Sequence, residues 1–176
     1  VVSAGIAFSK GYVPIASQVI TGKVKRYERK EDWEDGRHEV AKAYKRSIVE
    51  DKNDFFAKVV ERTAKNPANK IKWVLADAWF GTKSNIKAVM DNDLHGIILM
   101  KRNRLKYRYQ GRSYDVKKLH KIFKKRMTKV KGGLFRGIAL EVELNVGTDK
   151  QPDWRKVQLI MSRRSDNRNK NGWIAC

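Results

Sequence analysis

The residue with the clearest chemical potential is Asp77, a carboxylate at the end of an apolar run. It lies between residues 73–76 (WVLA) and Ala78. A short apolar run that ends in a turn is typical of a buried strand, and burying a charge without a partner or a metal is costly. Two interpretations follow. Asp77 is either a turn or helix-capping aspartate, because Asp is a common N-cap, or a metal-binding catalytic carboxylate.

The residues around Asp77 predict a strand, a helix and a second strand. Gly81 and Thr82 interrupt the apolar run, and Thr82 or Ser84 can cap a helix that ends near Asn92. Residues 96–100 (GIILM) predict another buried strand, which a basic cluster at 101–104 (KRNR) follows. In open α/β sheets, ligands bind at the carboxyl ends of the strands. This order therefore places Asp77 at an edge where ligands bind.

Two short boxes in this stretch resemble the second-aspartate region of bacterial insertion-sequence DDE transposases. Residues 77–81 (DAWFG) are similar to that family's Asp-(Ser/Ala)-Trp-(Phe/Tyr)-Gly box. Residues 101–103 (KRN) are similar to its box of lysine with Asn or Arg, which follows the next strand. Both boxes occur in the expected order and at the expected distance. The resemblance implies a ribonuclease-H-like fold, a role in DNA cleavage and strand transfer, and Asp77 as a catalytic ligand of Mg²⁺ or Mn²⁺.

The chemistry of this family needs three carboxylates, of which the resemblance assigns one. Two Mg²⁺ ions about 3.5–4 Å apart activate the attacking oxygen, and such hard cations prefer carboxylate oxygens. No aspartate precedes Asp32, and no Tyr-Arg-Glu-Lys signature occurs. Glu141 and Glu143 belong to a strand pattern and do not qualify as the third ligand. We therefore expect a central fragment of a catalytic domain, inactive alone, that takes its metal only with the complete triad.

The charge of the chain predicts a polyanionic partner. Forty Lys and Arg against nineteen Asp and Glu give a net charge of +21, which favours nucleic acid. Residues 101–131 contain fourteen basic residues and one acid, Asp115. A solvated basic face is the alternative interpretation of this run. We expect the affinity for DNA to fall as the salt concentration rises. The predicted DNA contacts are Lys101, Arg102, Arg104, Lys106, Arg108, Lys117, Lys118, Lys121, Lys124 and Lys125.

These contacts fall into two groups. Lys101 and Arg102 are predicted to contact phosphates at the active site. The lysines of residues 117–125 are predicted to contact the DNA backbone regardless of sequence. Trp79 is two residues from Asp77 and has two interpretations, core packing under the site or stacking on a base, of which we favour packing.

The whole pattern predicts an α/β fold in two parts. Residues 1–104 are expected to form a partial ribonuclease-H-like mixed sheet with flanking helices. Residues 105–176 are expected to form a β-rich basic insertion that leads toward the missing helix of the catalytic glutamate. The predicted elements besides those around Asp77 are strands at 1–8 and 12–20 with a bulge or edge at Pro14, a loop at 21–46, a helix at 47–65, a hairpin at 106–115, a helix at 116–126, and strands at 137–146, 156–162 and 172–176.

Several function classes are disfavoured. The single Cys176 rules out an intramolecular disulfide and a cysteine-based zinc cluster, and is consistent with a reducing compartment. No apolar run reaches the roughly 18 residues of a membrane span, and no signal peptide is recognisable. We expect a cytoplasmic, nucleoid-associated bacterial protein that binds DNA and self-associates in a transpososome. The alternatives are a non-catalytic nucleic-acid-binding module with the same fold and a basic structural protein.

Overall fold

The chain divides into two compact units, Val1–Lys70 and Ile71–Cys176. A computed structural model describes residues 1–20, 39, 42–43, 47, 49–101, 105–167, 169 and 172–176. These residues form a mixed α/β structure with three α-helices and ten strands, which agrees with the predicted fold class at that level. The boundary between the units lies at Lys70 and Ile71, whereas the predicted domains meet at residues 104 and 105. Nearly all of the predicted loop 21–46 lies outside the described residues, and the three that are described, Glu39, Lys42 and Ala43, are helical and not loop.

The first unit contains a β-hairpin and a helix. Strands β1 (Val2–Phe8) and β2 (Gly11–Gln18) pair antiparallel around a turn at Ser9 and Lys10. Ala4 pairs with Ala16 but Gly5 pairs with Pro14, so β2 holds one extra residue at the predicted bulge. Since proline lacks an N–H, a bulge is one of the few places where a paired strand accepts it.

Helix α1 (Lys52–Lys65) follows in the same unit. Its N-cap is Asp51, whose carboxylate accepts hydrogen bonds from the N–H groups of Asn53 and Asp54, while Asp54 accepts from the N–H of Asp51. This capping box satisfies donors that a helix start leaves without partners. It explains why α1 begins at Lys52, five residues after the predicted start.

The second unit begins with the predicted strand, helix and strand. They are β3 (Trp73–Ala76), α2 (Lys83–Asp91) and β4 (His95–Ile98). The two strands pair in parallel, from Trp73 with His95 to Ala76 with Ile98. The Thr82 hydroxyl caps α2 by accepting from the N–H of Asn85 at 3.3 Å, as predicted. The helix ends at Asn92, also as predicted.

The burial predicted for these two strands is correct on one face only. Ile98 and Val89 are buried between the sheet and α2, but Leu75 is 75% exposed and Trp73 55% exposed. The apolar runs predicted burial on both faces, which requires a layer on each side of a sheet. In the described part of this unit, α2 covers one side, and alternate residues of β3 and β4 face solvent on the other.

An antiparallel sheet with one covering helix completes the second unit. Its strand order is β10-β9-β8-β5-β6, with β7 pairing to β8. Its elements are β5 (Lys106–Tyr109), β6 (Arg112–Asp115), α3 (Val116–Phe123), a 3₁₀ turn (Lys124–Arg126), β7 (Thr128–Lys129), β8 (Phe135–Asn145), β9 (Trp154–Arg164) and β10 (Trp173–Ala175). Each predicted element of this region is present, with shifts of a few residues at the ends.

The core of the second unit lies on the face of this sheet that α3 covers. Leu144, Leu159 and Met161 project from β8 and β9 and are buried, as is Leu119 of α3. The antiparallel sheet also reaches β4, because the Met100 N–H donates to the Ala175 carbonyl at 2.8 Å in an antiparallel bridge. The parallel pair and the antiparallel sheet are therefore connected through hydrogen bonds.

Candidate functional site

Asp77 lies at the carboxyl end of β3, is exposed, and forms a turn. Its Oδ1 accepts a hydrogen bond from the Trp79 N–H at 2.7 Å, and the Phe80 N–H donates to its backbone carbonyl at 3.1 Å. Aspartate commonly stabilises turns in this way. The exposure removes one premise of the metal interpretation, since a solvated carboxylate needs no partner. The turn role is thus observed, and the catalytic role stays a prediction.

Gly81, the last residue of the first box, has a steric reason to be glycine. A Cβ at this position would lie 2.5 Å from the Leu99 carbonyl oxygen, well inside van der Waals contact. The turn after Asp77 therefore packs directly against the backbone of the neighbouring strand. Close packing at Gly81 fixes how the Asp77 turn sits relative to the end of β4.

The carboxyl ends of β3 and β4 meet at one edge. Ala76 pairs with Ile98, and the Leu99 N–H donates to the Ala76 carbonyl at 3.0 Å. Asp77 and Lys101 therefore leave the parallel pair at the same end, and both are exposed. Arg102 and Arg104, which were predicted to contact DNA here, lie outside the described residues.

The described residues do not fit a complete two-metal centre. They contain no group of three or more His, Cys, Asp or Glu side chains that could hold a metal ion. Asp77 can supply one hard oxygen donor, whereas a pair of Mg²⁺ ions requires several carboxylates. The remaining ligands that the resemblance implies would have to come from elsewhere.

The predicted contacts on β5 already have partners within the protein. Lys106 lies 3.8 Å from the Asp115 carboxylate. The Arg108 guanidinium lies 3.6 Å from the centre of the Trp154 ring and 3.4 Å from the Glu143 carboxylate. Arg108 is thus held on the solvent face of the sheet by a cation–π contact and an ion pair. A phosphate would have to compete with Glu143 for it.

The predicted contacts around α3 are all exposed. Asp115 caps the helix by accepting from the Lys118 N–H at 2.8 Å. Val116, Leu119 and Phe123 are buried on its inner side, because residues three and four apart share a face of a helix. The exposed lysines of α3 and the following 3₁₀ turn are Lys117, Lys118, Lys121, Lys124 and Lys125. We call these five residues the α3 lysines.

The packing interpretation of Trp79 is wrong. Its side chain is 62% exposed, so it does not lie in the core. The prediction relied on the tendency of large aromatic residues to be buried. The residue belongs instead to the turn that Asp77 forms, and that turn projects beyond the end of β3.

Two charged groups in the second unit were not found from the sequence. The first joins α2 to β9: Asp91 lies 2.7 Å from Lys87 and 2.8 Å from Arg155, and Asp153 lies 2.9 Å from Arg155 and 3.5 Å from Lys87. Lys87, with Arg155, holds the pKa of the Asp91 carboxyl below its ordinary value. Arg155 is the main cause of the lowered pKa of the Asp153 carboxyl.

The second group lies across three strands. Lys129 on β7 pairs with Arg136 on β8, which in turn pairs with Arg163 on β9. We call these three residues the cationic row. Each lies in a different part of the sequence, so only the strand register brings them together. The two glycines that precede β8, Gly132 and Gly133, both adopt positive φ angles, and they were the local signal for the turn that sets this register.

Comparisons with known proteins give no assignment. No protein-family model, no curated protein and no solved structure matches the chain. No described helix is both long and apolar enough to cross a membrane. Any proposal about function therefore rests on the two sequence boxes, the fold and the charged surfaces.

Proposed function

We propose that this chain carries the Asp77 segment of the catalytic domain of an insertion-sequence DDE transposase, and that it binds DNA through the α3 lysines and the edge at Lys101. The observation that carries the proposal is the shared edge of β3 and β4. It brings Asp77 and Lys101, one residue from each of the two boxes, to the same end of a parallel strand pair. That is the edge at which α/β sheets bind ligands.

In this proposal the chain's own residues position DNA. The α3 lysines and Lys101 contact phosphates, and the resulting release of counterions makes binding dependent on salt. Asp77 presents its carboxylate at the edge that the phosphates pass. Mg²⁺ or Mn²⁺, held by the complete triad of a ribonuclease-H-like domain, would supply Lewis-acid activation of the scissile phosphate. The proposal includes assembly with further copies on DNA and a place at the bacterial nucleoid.

A non-catalytic nucleic-acid-binding module is the second candidate. The observation that favours it is the hydrogen bond from Trp79 to Asp77, together with the exposure of that carboxylate. The turn accounts for an aspartate at this position without a metal. The two candidates share DNA binding and differ in the role of Asp77.

The DNA-binding part is tested by fluorescence anisotropy with a labelled duplex of about 20 base pairs over a range of salt concentrations. Lys117→Gln and Lys121→Gln remove exposed charges from α3. For each phosphate that a variant no longer neutralises, the plot of log affinity against log salt concentration becomes less steep by about 0.9. Near 0.1 M salt this corresponds to a loss of affinity of about eightfold. Lys156→Gln is the control, because Lys156 is also exposed but pairs with Glu141 of β8 at 3.2 Å. DNA affinity that does not change with salt concentration would contradict this part of the proposal. So would a loss of affinity in Lys156→Gln equal to that in Lys117→Gln and Lys121→Gln.

The catalytic part is tested with Asp77→Asn in a polypeptide that includes the two further carboxylates. An asparagine side-chain oxygen can still accept from the Trp79 N–H, so the turn is retained. Nicking of supercoiled DNA in Mg²⁺ or Mn²⁺ is expected to fall by at least a hundredfold, with DNA affinity unchanged. If the substituted protein nicks DNA as fast as the parent, the catalytic part is wrong and the binding module is favoured.

A further inference from the structure

The cationic row places three positive charges side by side on one sheet. Lys129 pairs with Arg136, and Arg136 with Arg163, across the antiparallel strands β7, β8 and β9. Residues directly opposite each other on antiparallel strands project from the same face, with Cβ atoms about 4.5–5.5 Å apart. Like charges in that arrangement destabilise a sheet. A folded protein that keeps such a row gains from an anion that neutralises it.

No carboxylate supplies that neutralisation among the residues that the structure describes. Asp166 pairs with Arg164 at 2.8 Å, on the other face of β9, and Glu141 pairs with Lys156. Within the described residues, none of the three cations of the row forms an ion pair. The row is therefore a concentration of positive charge that no carboxylate in the described part of the chain neutralises.

Arg136, at the centre of the row, is held in place by the backbone. Its Nη2 donates to the Met127 carbonyl at 3.1 Å, and Met127 follows the 3₁₀ turn after α3. Its Nε is buried and has no hydrogen-bond partner among the described residues. A buried donor without an acceptor is unfavourable. The guanidinium is thus anchored to the backbone through Nη2, while its buried Nε–H lacks an acceptor.

The row continues the surface formed by the α3 lysines. Arg163 pairs with Trp173 of β10, and the Trp173 ring stacks on His120 of α3 with ring centres 4.0 Å apart. The row therefore lies on the face of the sheet that α3 covers. Because Arg136 is bonded to Met127, it also lies next to the turn that carries Lys124 and Lys125. The cationic row therefore adjoins the 3₁₀ turn that follows α3.

We propose that the cationic row is a phosphate-binding site that takes the backbone of duplex DNA, as an extension of the surface formed by the α3 lysines. Adjacent strands are about 4.8 Å apart, so three strands span about 10 Å. One strand of a duplex presents a phosphate every 3.4 Å of helix axis, so a row of about 10 Å that lies along this axis covers about three phosphate steps. This inference rests on the DNA binding proposed above.

The decisive experiment uses Lys129→Gln and Arg163→Gln in the same anisotropy titration with a 20-base-pair duplex. Each change is expected to lower the salt slope by about 0.9 and the affinity by about eightfold near 0.1 M salt. Arg164→Gln is the matched control, because it neighbours Arg163 on the same strand, faces the other side of the sheet and pairs with Asp166. Its affinity is expected to stay within twofold of the parent.

Three further results separate the possible failures. If Lys117→Gln weakens binding while Lys129→Gln and Arg163→Gln match Arg164→Gln, the cationic row is not a DNA site and the proposed function stands. If the parent shows no salt-dependent DNA binding, the proposed function fails instead. Calorimetry with inorganic tripolyphosphate provides the third result. A loss of tripolyphosphate binding in the row variants without any loss on DNA would indicate a site for free phosphates and overturn the inference.

Thermal unfolding at low salt tests whether the row has a purely structural role. If Lys129 and Arg163 only repel each other and Arg136, neutralising either one leaves the unfolding midpoint unchanged or raises it. A midpoint lowered by several degrees in both variants, with normal DNA affinity, would mean that the row stabilises the fold and would contradict the proposal.

Discussion

The guanidinium of Arg155 lies 2.8 Å from the carboxylate of Asp91 and so joins the C-terminal turn of α2 to β9. Lys87 and Asp153 complete a ring of four alternating charges around this pair. The ring connects the strand–helix–strand segment that carries Asp77 to the antiparallel sheet that carries the basic surface. Its effect is therefore to hold the two parts of the candidate site in one arrangement.

Removing Arg155 is expected to destabilise the protein in a pH-dependent way. The pKa values of the Asp91 and Asp153 carboxyls are lowered by their basic neighbours, so their contribution is present above the unfolded-state pKa near 4 and is lost as the pH falls through the lower folded-state values. The pKa of Lys87 is raised, chiefly by Asp91, so its contribution is lost only as the pH rises above 10.5. Arg155→Met should lower the midpoint of thermal unfolding by about 1–3 °C at pH 7.

The same substitution measured at acid pH provides the check. At pH 3 the difference between Arg155→Met and the parent should become smaller, because the carboxylates are partly protonated in both proteins. Arg164→Met serves as the control for loss of a single exposed pair with Asp166. A difference that stays constant from pH 7 to pH 3 would show that Arg155 stabilises by packing and not by charge.

Gly81→Ala is expected to destabilise the turn that presents Asp77. The added Cβ would lie 2.5 Å from the Leu99 carbonyl oxygen, and backbone atoms cannot move aside as a flexible side chain can. We expect a loss of about 1–3 kcal/mol in the free energy of unfolding by urea. Gly96→Ala is the matched change, since its Cβ would meet the Val89 Cγ1 at 3.3 Å. Equal effects of the two substitutions would argue against close packing at Gly81.

Leu119→Ala is expected to destabilise the protein strongly, and this tests whether α3 packs on the core. Leu119 is fully buried, and truncating a buried leucine costs about 2–5 kcal/mol of unfolding free energy. Ile122, on the same helix, is 49% exposed, and Ile122→Ala should change the stability by less than about 0.5 kcal/mol. Urea unfolding followed by circular dichroism measures both. Similar values for the two positions would mean that α3 does not pack as described.

The thiol of Cys176 is expected to react slowly in the folded protein. Burial raises its pKa from the ordinary value of 9.0, so less of the reactive thiolate is present at neutral pH. Its backbone is also paired with Ile160, in both directions, at 2.8 and 2.9 Å. Reaction with Ellman's reagent at pH 7.5 should be at least about tenfold slower than in 6 M urea. Equal rates in the two conditions would show that the last strand is open to solvent.

Local chemistry was sufficient to predict most of the elements. Thr82 predicted the start of α2, and the positive φ angles of Gln110 and Gly111 explain why that dipeptide closes the hairpin of β5 and β6. These signals act within a few residues. The order of strand, helix and strand around Asp77 was predicted correctly for the same reason, because each element has its own cap, turn and periodicity.

Long-range pairing could not be predicted in this way. Lys129, Arg136 and Arg163 adjoin only because β7, β8 and β9 pair in one register, and a shift of one residue would move a side chain to the other face. Asp91 and Arg155 meet across more than sixty residues of sequence. The exposure of Leu75 depends on which layer covers each face of the sheet, and an apolar run does not specify that layer.

The hydrogen bond between Met100 and Ala175 has a consequence for the order of folding. The two residues are 75 positions apart, and ribosomes add about 5–20 residues per second. During synthesis, Ala175 is therefore added roughly 4–15 s after Met100. In that interval the Met100 N–H can bond to solvent or to another strand. The segment that carries Asp77 can form early, whereas its backbone hydrogen bond to the antiparallel sheet has to await the synthesis of Ala175.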